Sequence, residues 1–336
     1  MSFQPDFLVT LDWETFYADD YTLRKMTTES YVRDERFESI GIGVKVNDAA
    51  SVWLDETDFR AWAKKVDWSK AALLAHNTCF DALIASHHFD IHPAILLDTL
   101  SMGRALHGSE VGNSLEKLSA YYGVGVKGHE VENARGKHVA DFTKEEWHRY
   151  GAYCRNDVDL CHGLFFKMME AGFPEHELWS VDATLKMFCE PQFVLNEPLL
   201  EAFLVDEKRR KADLLSRVAK EKSTLMSNDK FAALLVEMGE EPPRKISPRT
   251  GKEAWAFAKT DSGMQALLEH EREEIRWVAE ARIGVKSTIN ETRTERFLKL
   301  GANGRKMPVQ LHYCGAHTHR WSGAGRTNFQ NLGRGG

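Results

Sequence analysis

The run FLVTLDWE at positions 7–14 reads as a buried β-strand, yet it ends in two carboxylates two positions apart. In a strand, residues i and i+2 face the same side, so Asp12 and Glu14 project together. Left unpaired beside an apolar run, they would repel, and burying them would cost several kcal/mol. The chain must therefore fold so that something positive meets this strand end. Oxygen donors of this kind suit a hard divalent cation such as Mg²⁺ or Mn²⁺. An ordinary acidic pair at a strand edge is the plainer alternative.

Two later motifs carry matching chemistry. In LLAHNTCFDALIA, Asp81 falls in the first turn of a helix that leaves a short strand, where the helix dipole favours a carboxylate. Asn77, in the strand-to-helix turn, suits either a helix cap or a substrate contact. In YCRNDVDLC, Tyr153 and Asp157 stand at i and i+4 of a helix and share one face. A tyrosine hydroxyl near a cation-binding carboxylate can orient water, although its ordinary pKa near 10 makes it a poor base. The four acids and Tyr153 together describe a site for two divalent cations and for hydrolysis of a phosphodiester.

The surrounding pattern predicts how these motifs are held. After the first strand, SIGIGVKV (39–46) and ASVWL (50–54) alternate around an Asn47-Asp48 turn, which predicts a hairpin. Further strands are expected at 71–76 and 94–99, with helices near 58–66, 80–88, 114–122 and 143–170. These elements make an α/β domain over residues 1–175. From 176 to 307 apolar residues recur at helical spacing, broken by a loop with Pro242, Pro243, Pro248 and Gly251 before 263–300 is helical again, which predicts a mainly α-helical region of two long antiparallel helices joined through a smaller excursion. A Gly-rich segment, 308–336, follows. With 336 residues, 43% hydrophobic and 28% charged, the chain suits two globular domains and possesses no apolar run long enough for a membrane span. No secretion signal is visible, and five cysteines without a CxxC pair read as free thiols of a cytoplasmic protein.

The net charge of −6 argues against a general polyanion binder, but it conceals an asymmetry. Residues 1–60 hold thirteen Asp/Glu and six Lys/Arg, whereas 301–336 hold five Lys/Arg and no acid. Basic clusters also lie at Lys208–Lys211, at Arg244 to Lys252, and from Arg282 to Lys299. An acidic front that collects cations and a basic rear that tracks phosphates suit an enzyme acting on nucleic acid, while solvated helix faces explain the middle clusters about as well.

DxE on a first strand, NxxFD at a strand-to-helix turn and YxxxD on a late helix resemble the DEDD exonuclease superfamily, tyrosine branch. The resemblance implies a ribonuclease-H-like fold and two-metal release of 5′-mononucleotides from a 3′ end. It also implies Asp12, Glu14, Asp81 and Asp157 as metal ligands and Tyr153 as holder of the attacking water. The histidine branch would need His at 152, where this chain has Ala152. Trp13 is expected either against the terminal nucleotide or in the core. Asp98 resembles an acid that supports the ligands in such domains.

The segments KISPRTGKEAWAFAKTD, ARIGVKSTINETRTERF and GAHTHRWSGAGRTNFQNLGRGG resemble a bacteriophage DNA polymerase of family A. The helical region would then be the thumb, and residues 308–336 the start of the palm. Lys286, Ser287 and Thr288 would touch the DNA backbone, and Arg320, Asn328 and Gln330 the primer–template near its growing end. Gly333 stands where such proteins usually have proline. The sequence stops before the catalytic palm motifs and the fingers, and DxE stands too early for a 5′-nuclease domain to precede it. Nucleotide addition is therefore not expected of this chain without a further palm and fingers polypeptide, whether it is an engineered piece or half of a natural split.

Three other readings are open. A 3′→5′ exoribonuclease shares the same acids, and a non-catalytic DNA-binding subunit shares the helical region. His312, Cys314, His317 and His319 offer zinc ligand types at short spacing.

Overall fold

The computed structural model describes residues 5–128, 134–218 and 220–332. The acidic strand is β1 (Phe7–Thr15), and it is followed by α1 (Thr28–Val32), β2 (Ser39–Val46), β3 (Val52–Leu54), α2 (Glu56–Ala63), β4 (Ala71–Ala75), α3 (Thr78–Phe89), β5 (Ile95–Asp98), α4 (Thr99–His107), α5 (Leu115–Tyr122), α6 (Lys144–Glu170) and α7 (Glu177–Cys189). Five strands form one mixed sheet in the order β3-β2-β1-β4-β5. β2 and β3 are the antiparallel hairpin that the Asn47 turn predicts, and β4 and β5 run parallel to β1. Every residue of β4 and β5 is buried, as parallel strands covered by helices require.

The register of β1 on β2 sets Asp12 opposite Gly43 and Glu14 opposite Gly41. The sequence IGIG thus gives the acids partners without side chains. A Cβ on Gly43 would lie 2.8 Å from both Cys154 Sγ and Val158 Cγ2, both on α6, and one on Gly41 would strike the Trp53 ring. These glycines let α6 and the Trp53 indole lie close against the acid-bearing end of the sheet. α6 starts at a capping box, with Thr143 accepting from Glu146 N and the Glu146 side chain accepting from Thr143 N.

The chain separates into two compact units, Met1–Phe193 with Met307–Gly336, and Val194–Lys306. The division falls later than the expected 175. The reason is α7, whose Leu178, Val181, Leu185 and Phe188 are buried in the sheet-bearing core. The segment after Met307 returns to the same unit. It forms β8 (Leu311–His312) and β9 (Ser322–Gly323), and Trp321 donates to Thr184 Oγ1 at 2.8 Å.

The other unit contains α8 (Glu197–Val218), α9 (Lys222–Met226), α10 (Asn228–Glu237), α11 (Ser262–Leu268), α12 (Glu273–Lys286) and α13 (Ile289–Gly301). Its core is Leu225, Phe231, Leu235, Met264, Ile275 and their neighbours. Two expectations change here. The 263–300 stretch is three helices, not one, broken at Glu269–Arg272 and Ser287–Thr288. The Pro-rich loop contains an antiparallel pair, β6 (Arg244–Ile246) and β7 (Glu253–Trp255), closed by Gly251 at φ +65°. Arg282, counted above among phosphate-tracking residues, is wholly buried between Phe231 and Phe257 and donates to Leu225 O at 2.7 Å.

Candidate active site

Three elements deliver the five predicted side chains to one place. β1 supplies Asp12 and Glu14, the first turn of α3 supplies Asp81, and the middle of α6 supplies Tyr153 and Asp157. Glu14, Asp81, Asp157 and Tyr153 are 8%, 3%, 4% and 8% exposed. Trp13 N donates to Asp81 Oδ1 at 3.1 Å, which ties α3 to the strand end. Burial first, and then the charge of Asp157, pushes the Asp12 carboxyl up to about 6. Glu14 and Asp81 are pushed well above the carboxylate range by burial and by Asp12. Asp157 is raised by burial while Lys127 opposes the shift. Tyr153 is raised by burial and by the charges of Asp157, Glu14 and Asp12. Asp12 is the common neighbour: its charge acts on Glu14 and Asp81, and Asp157 acts on it, which places the four in one electrostatic cluster.

Three residues that the motif reading passed over complete the cluster. Tyr150 donates its hydroxyl to Glu14 Oε2 at 2.5 Å. Cys154 donates its thiol to Asp12 Oδ2 at 3.3 Å. Lys127 forms an ion pair with Asp157, with its ammonium 5.0 Å from the centre of the Tyr153 ring. Tyr150, Tyr153, Cys154 and Asp157 recur at helical spacing, so periodicity alone could have grouped them. No sequence signal marked Lys127, which lies outside any helix or strand.

The cluster has the marks of a cation site. Asp157 Oδ1 is buried and finds no hydrogen-bond partner among the described residues. Donor atoms of Asp12, Glu14 and Cys154 lie within 4.8 Å of one another. Burial and the neighbouring acids push the Cys154 thiol up, which keeps it a donor to Asp12 and leaves the carboxylate oxygens as the atoms that could hold a cation. Among the described residues, His312, Cys314, His317 and His319 do not gather into a comparable group.

The remaining predicted residues are placed elsewhere. The Trp13 indole is 4% exposed and packs on Phe59 and Phe89, because strand alternation turns it away from Asp12 and Glu14. The ring thus takes the core placement of the two expected for it, at the edge of the cleft that opens at Glu14. Asn77 is exposed, adopts φ +74° and makes no capping bond, so its amide faces solvent at the strand-to-helix turn. Asp98 is held by its own work, accepting from Asn77 N, Thr78 N, Leu100 N and Ser101 N at 2.9–3.2 Å. Arg320 is exposed between β8 and β9, Asn328 accepts from Gln330 N at 3.0 Å, and the Gln330 side chain is exposed. Lys286 and Ser287 belong to the helical unit and are exposed; Lys286 donates to Asn228 Oδ1 at 2.9 Å. Gly333 lies outside the described residues.

A cleft of about 1190 Å³ opens at Glu14, lined by aromatic Tyr17, Tyr31 and Phe80 and basic Arg24, Lys25 and Arg135. No protein-family model matches the chain, and no curated protein does. A solved structure described as the POL domain of Pol1 from M. smegmatis, in complex with DNA primer-template and dNTP, does match. It aligns over 99% of this chain with a TM-score of 0.61 and 14% identity. The chain has the fold of a DNA polymerase I-type POL domain over the part that it spans. That part is 53% of the other chain's length. No helix among the described residues is long and apolar enough to cross a membrane.

Proposed function

We propose that the chain is the 3′→5′ exonuclease portion of a family A DNA polymerase and removes 5′-mononucleotides from a DNA 3′ end for proofreading. The catalytic part would be ribonuclease-H-like. The observation that carries this reading is the convergence of Asp12, Glu14, Asp81, Asp157 and Tyr153 on one buried acidic pocket beside an open cleft. The order β3-β2-β1-β4-β5, with β2 antiparallel to β1, supports it as well.

The four carboxylates would hold two Mg²⁺ or Mn²⁺ ions, whose charge makes water nucleophilic near neutral pH and stabilises the departing 3′ oxygen. The protein's own part is to hold the ligands and aim the water. Tyr150 fixes Glu14, Cys154 fixes Asp12, and the Trp13 amide fixes Asp81. Tyr153, raised far from ionisation, stays a neutral hydroxyl that orients the attacking water without acting as its base. Tyr17 and Phe80 offer faces for unpaired bases and the basic wall offers contacts to phosphates, while the exposed Asn77 at the start of α3 would contact the substrate. In the helical unit Lys286 and Ser287, and after β8 Arg320, Asn328 and Gln330, would meet primer–template.

The test uses 5′-labelled single-stranded DNA and RNA of one sequence. Adding Mg²⁺ to the chain should produce a ladder that shortens from the 3′ end on DNA, abolished by a chelator. Preference for RNA would move the substrate to the exoribonuclease reading. No cleavage of either would leave only a DNA-binding role.

A further inference from the structure

Lys127 is placed by construction. The segment 125–128 lies against α6, where Asn156 Nδ2 donates to Val126 O at 3.0 Å. Glycines make the approach possible: a Cβ on Gly125 would come within 2.8 Å of Leu160, and one on Gly128 within 3.0 Å of the Tyr153 ring. Between them the Lys127 ammonium reaches Asp157 Oδ2 and lies over Tyr153. The same ammonium opposes the charge of Asp12 and Glu14. Among the described residues it acts on all three acids.

We propose that Lys127 competes with the divalent cations for Asp157: its ammonium balances the acidic pocket before loading and is exchanged off Asp157 when a cation binds. The inference rests on the exonuclease reading of the pocket. A cation on the free Oδ1 of Asp157 and an ammonium on its Oδ2 would lie close enough to repel, which weakens the hold of each on that carboxylate. The Lys127 side chain is the one able to move, being 27% exposed while the Asp157 side chain is 5% exposed. Lys127 is thus a positioning residue that sets how readily the site loads.

The experiment is calorimetric titration of Mn²⁺ into the full chain without DNA, together with melting temperatures in chelator and in Mg²⁺. Lys127→Met should bind Mn²⁺ at least about fivefold more tightly than the unmodified chain. It should also melt lower in chelator and gain more from Mg²⁺. Lys127→Arg should keep the weaker affinity. Lys127→Gln, which keeps a polar end, serves as a second variant should Lys127→Met lose its fold. Unchanged or weaker Mn²⁺ binding in the folded Met or Gln variant overturns the inference, since a merely structural lysine would lower stability and affinity together. Absence of Mn²⁺ binding by the unmodified chain overturns the exonuclease reading itself, and the inference with it.

Discussion

Tyr150 donates its hydroxyl to Glu14 Oε2 at 2.5 Å, joining α6 to the end of β1 across 136 residues of sequence. Removing that donor leaves a buried carboxylate oxygen unsatisfied. Tyr150→Phe should destabilise the protein by about 1–3 kcal/mol. Exonuclease activity should fall about 10- to 100-fold, the usual effect of losing a group that orients a metal ligand. Thermal melts and single-strand degradation rates measure both.

Gly43 separates β2 from α6 directly opposite Asp12. An added methyl at 2.8 Å from Cys154 Sγ and Val158 must push α6 outward. Gly43→Ala should cost about 1–3 kcal/mol as an overpacked contact. Because α6 carries Tyr153 and Asp157, activity should drop more than the melting temperature suggests. Gly172→Ala, at φ +95° with nothing near its Cβ, is the control that strains the backbone without touching the pocket.

Protonation and cation binding compete for the same oxygens. Asp12 ionises near 6 in the folded state and near 3.8 when free, so the folded chain holds the extra proton between those values. In that window the cation-free protein loses stability as pH rises. Buried His76, lowered to about 4, acts in the opposite sense, since the unfolded chain takes up its proton first as pH falls from 6.5. His76 contributes with or without a cation, so the difference between the two conditions isolates the acids. The rise in melting temperature given by Mg²⁺ should therefore shrink steadily from pH 7 to pH 5. A rise that is independent of pH would place the cation elsewhere.

Much of the sheet was legible because its signals are local. The apolar run before Asp12, the Asn47 turn and the glycine-flanked strands each state their own conformation. The pocket was legible for a related reason, since carboxylates beside apolar runs at strand and helix ends need a positive partner that they can share. Lys127 and the Tyr150–Glu14 bond were not, because they depend on which distant segment lies beside the pocket. Trp13 was ambiguous by type and resolved by alternation, which faces it into Phe59 and Phe89. In the helical unit, basic spacing suggested a solvated Arg282, but two aromatic faces and backbone carbonyls bury it. The two short hairpins, β6–β7 and β8–β9, left no strand signal because strands of two or three residues carry too little periodicity.

Arg282 offers a separate check on the helical unit. Its guanidinium lies 4.3 Å from the centre of Phe231 and caps the carbonyls of Leu225 and Ser227. Arg282→Ala should remove about 3 kcal/mol or more through orphaned acceptors and a cavity. Calorimetry should show the loss, while degradation of a single strand by the folded protein at low temperature stays near the original rate.

The central claim is that the five converging side chains are the nuclease. The most direct measurement is Mg²⁺-dependent release of mononucleotides from single-stranded DNA by the unmodified chain and by Asp12→Ala with Asp157→Ala. The account predicts a loss on the order of a thousandfold or more in the double variant. Its melting temperature in chelator should stay close to the original, because the Asp12–Asp157 repulsion is removed together with the Lys127 ion pair. A folded double variant that still releases mononucleotides at the original rate would contradict the account.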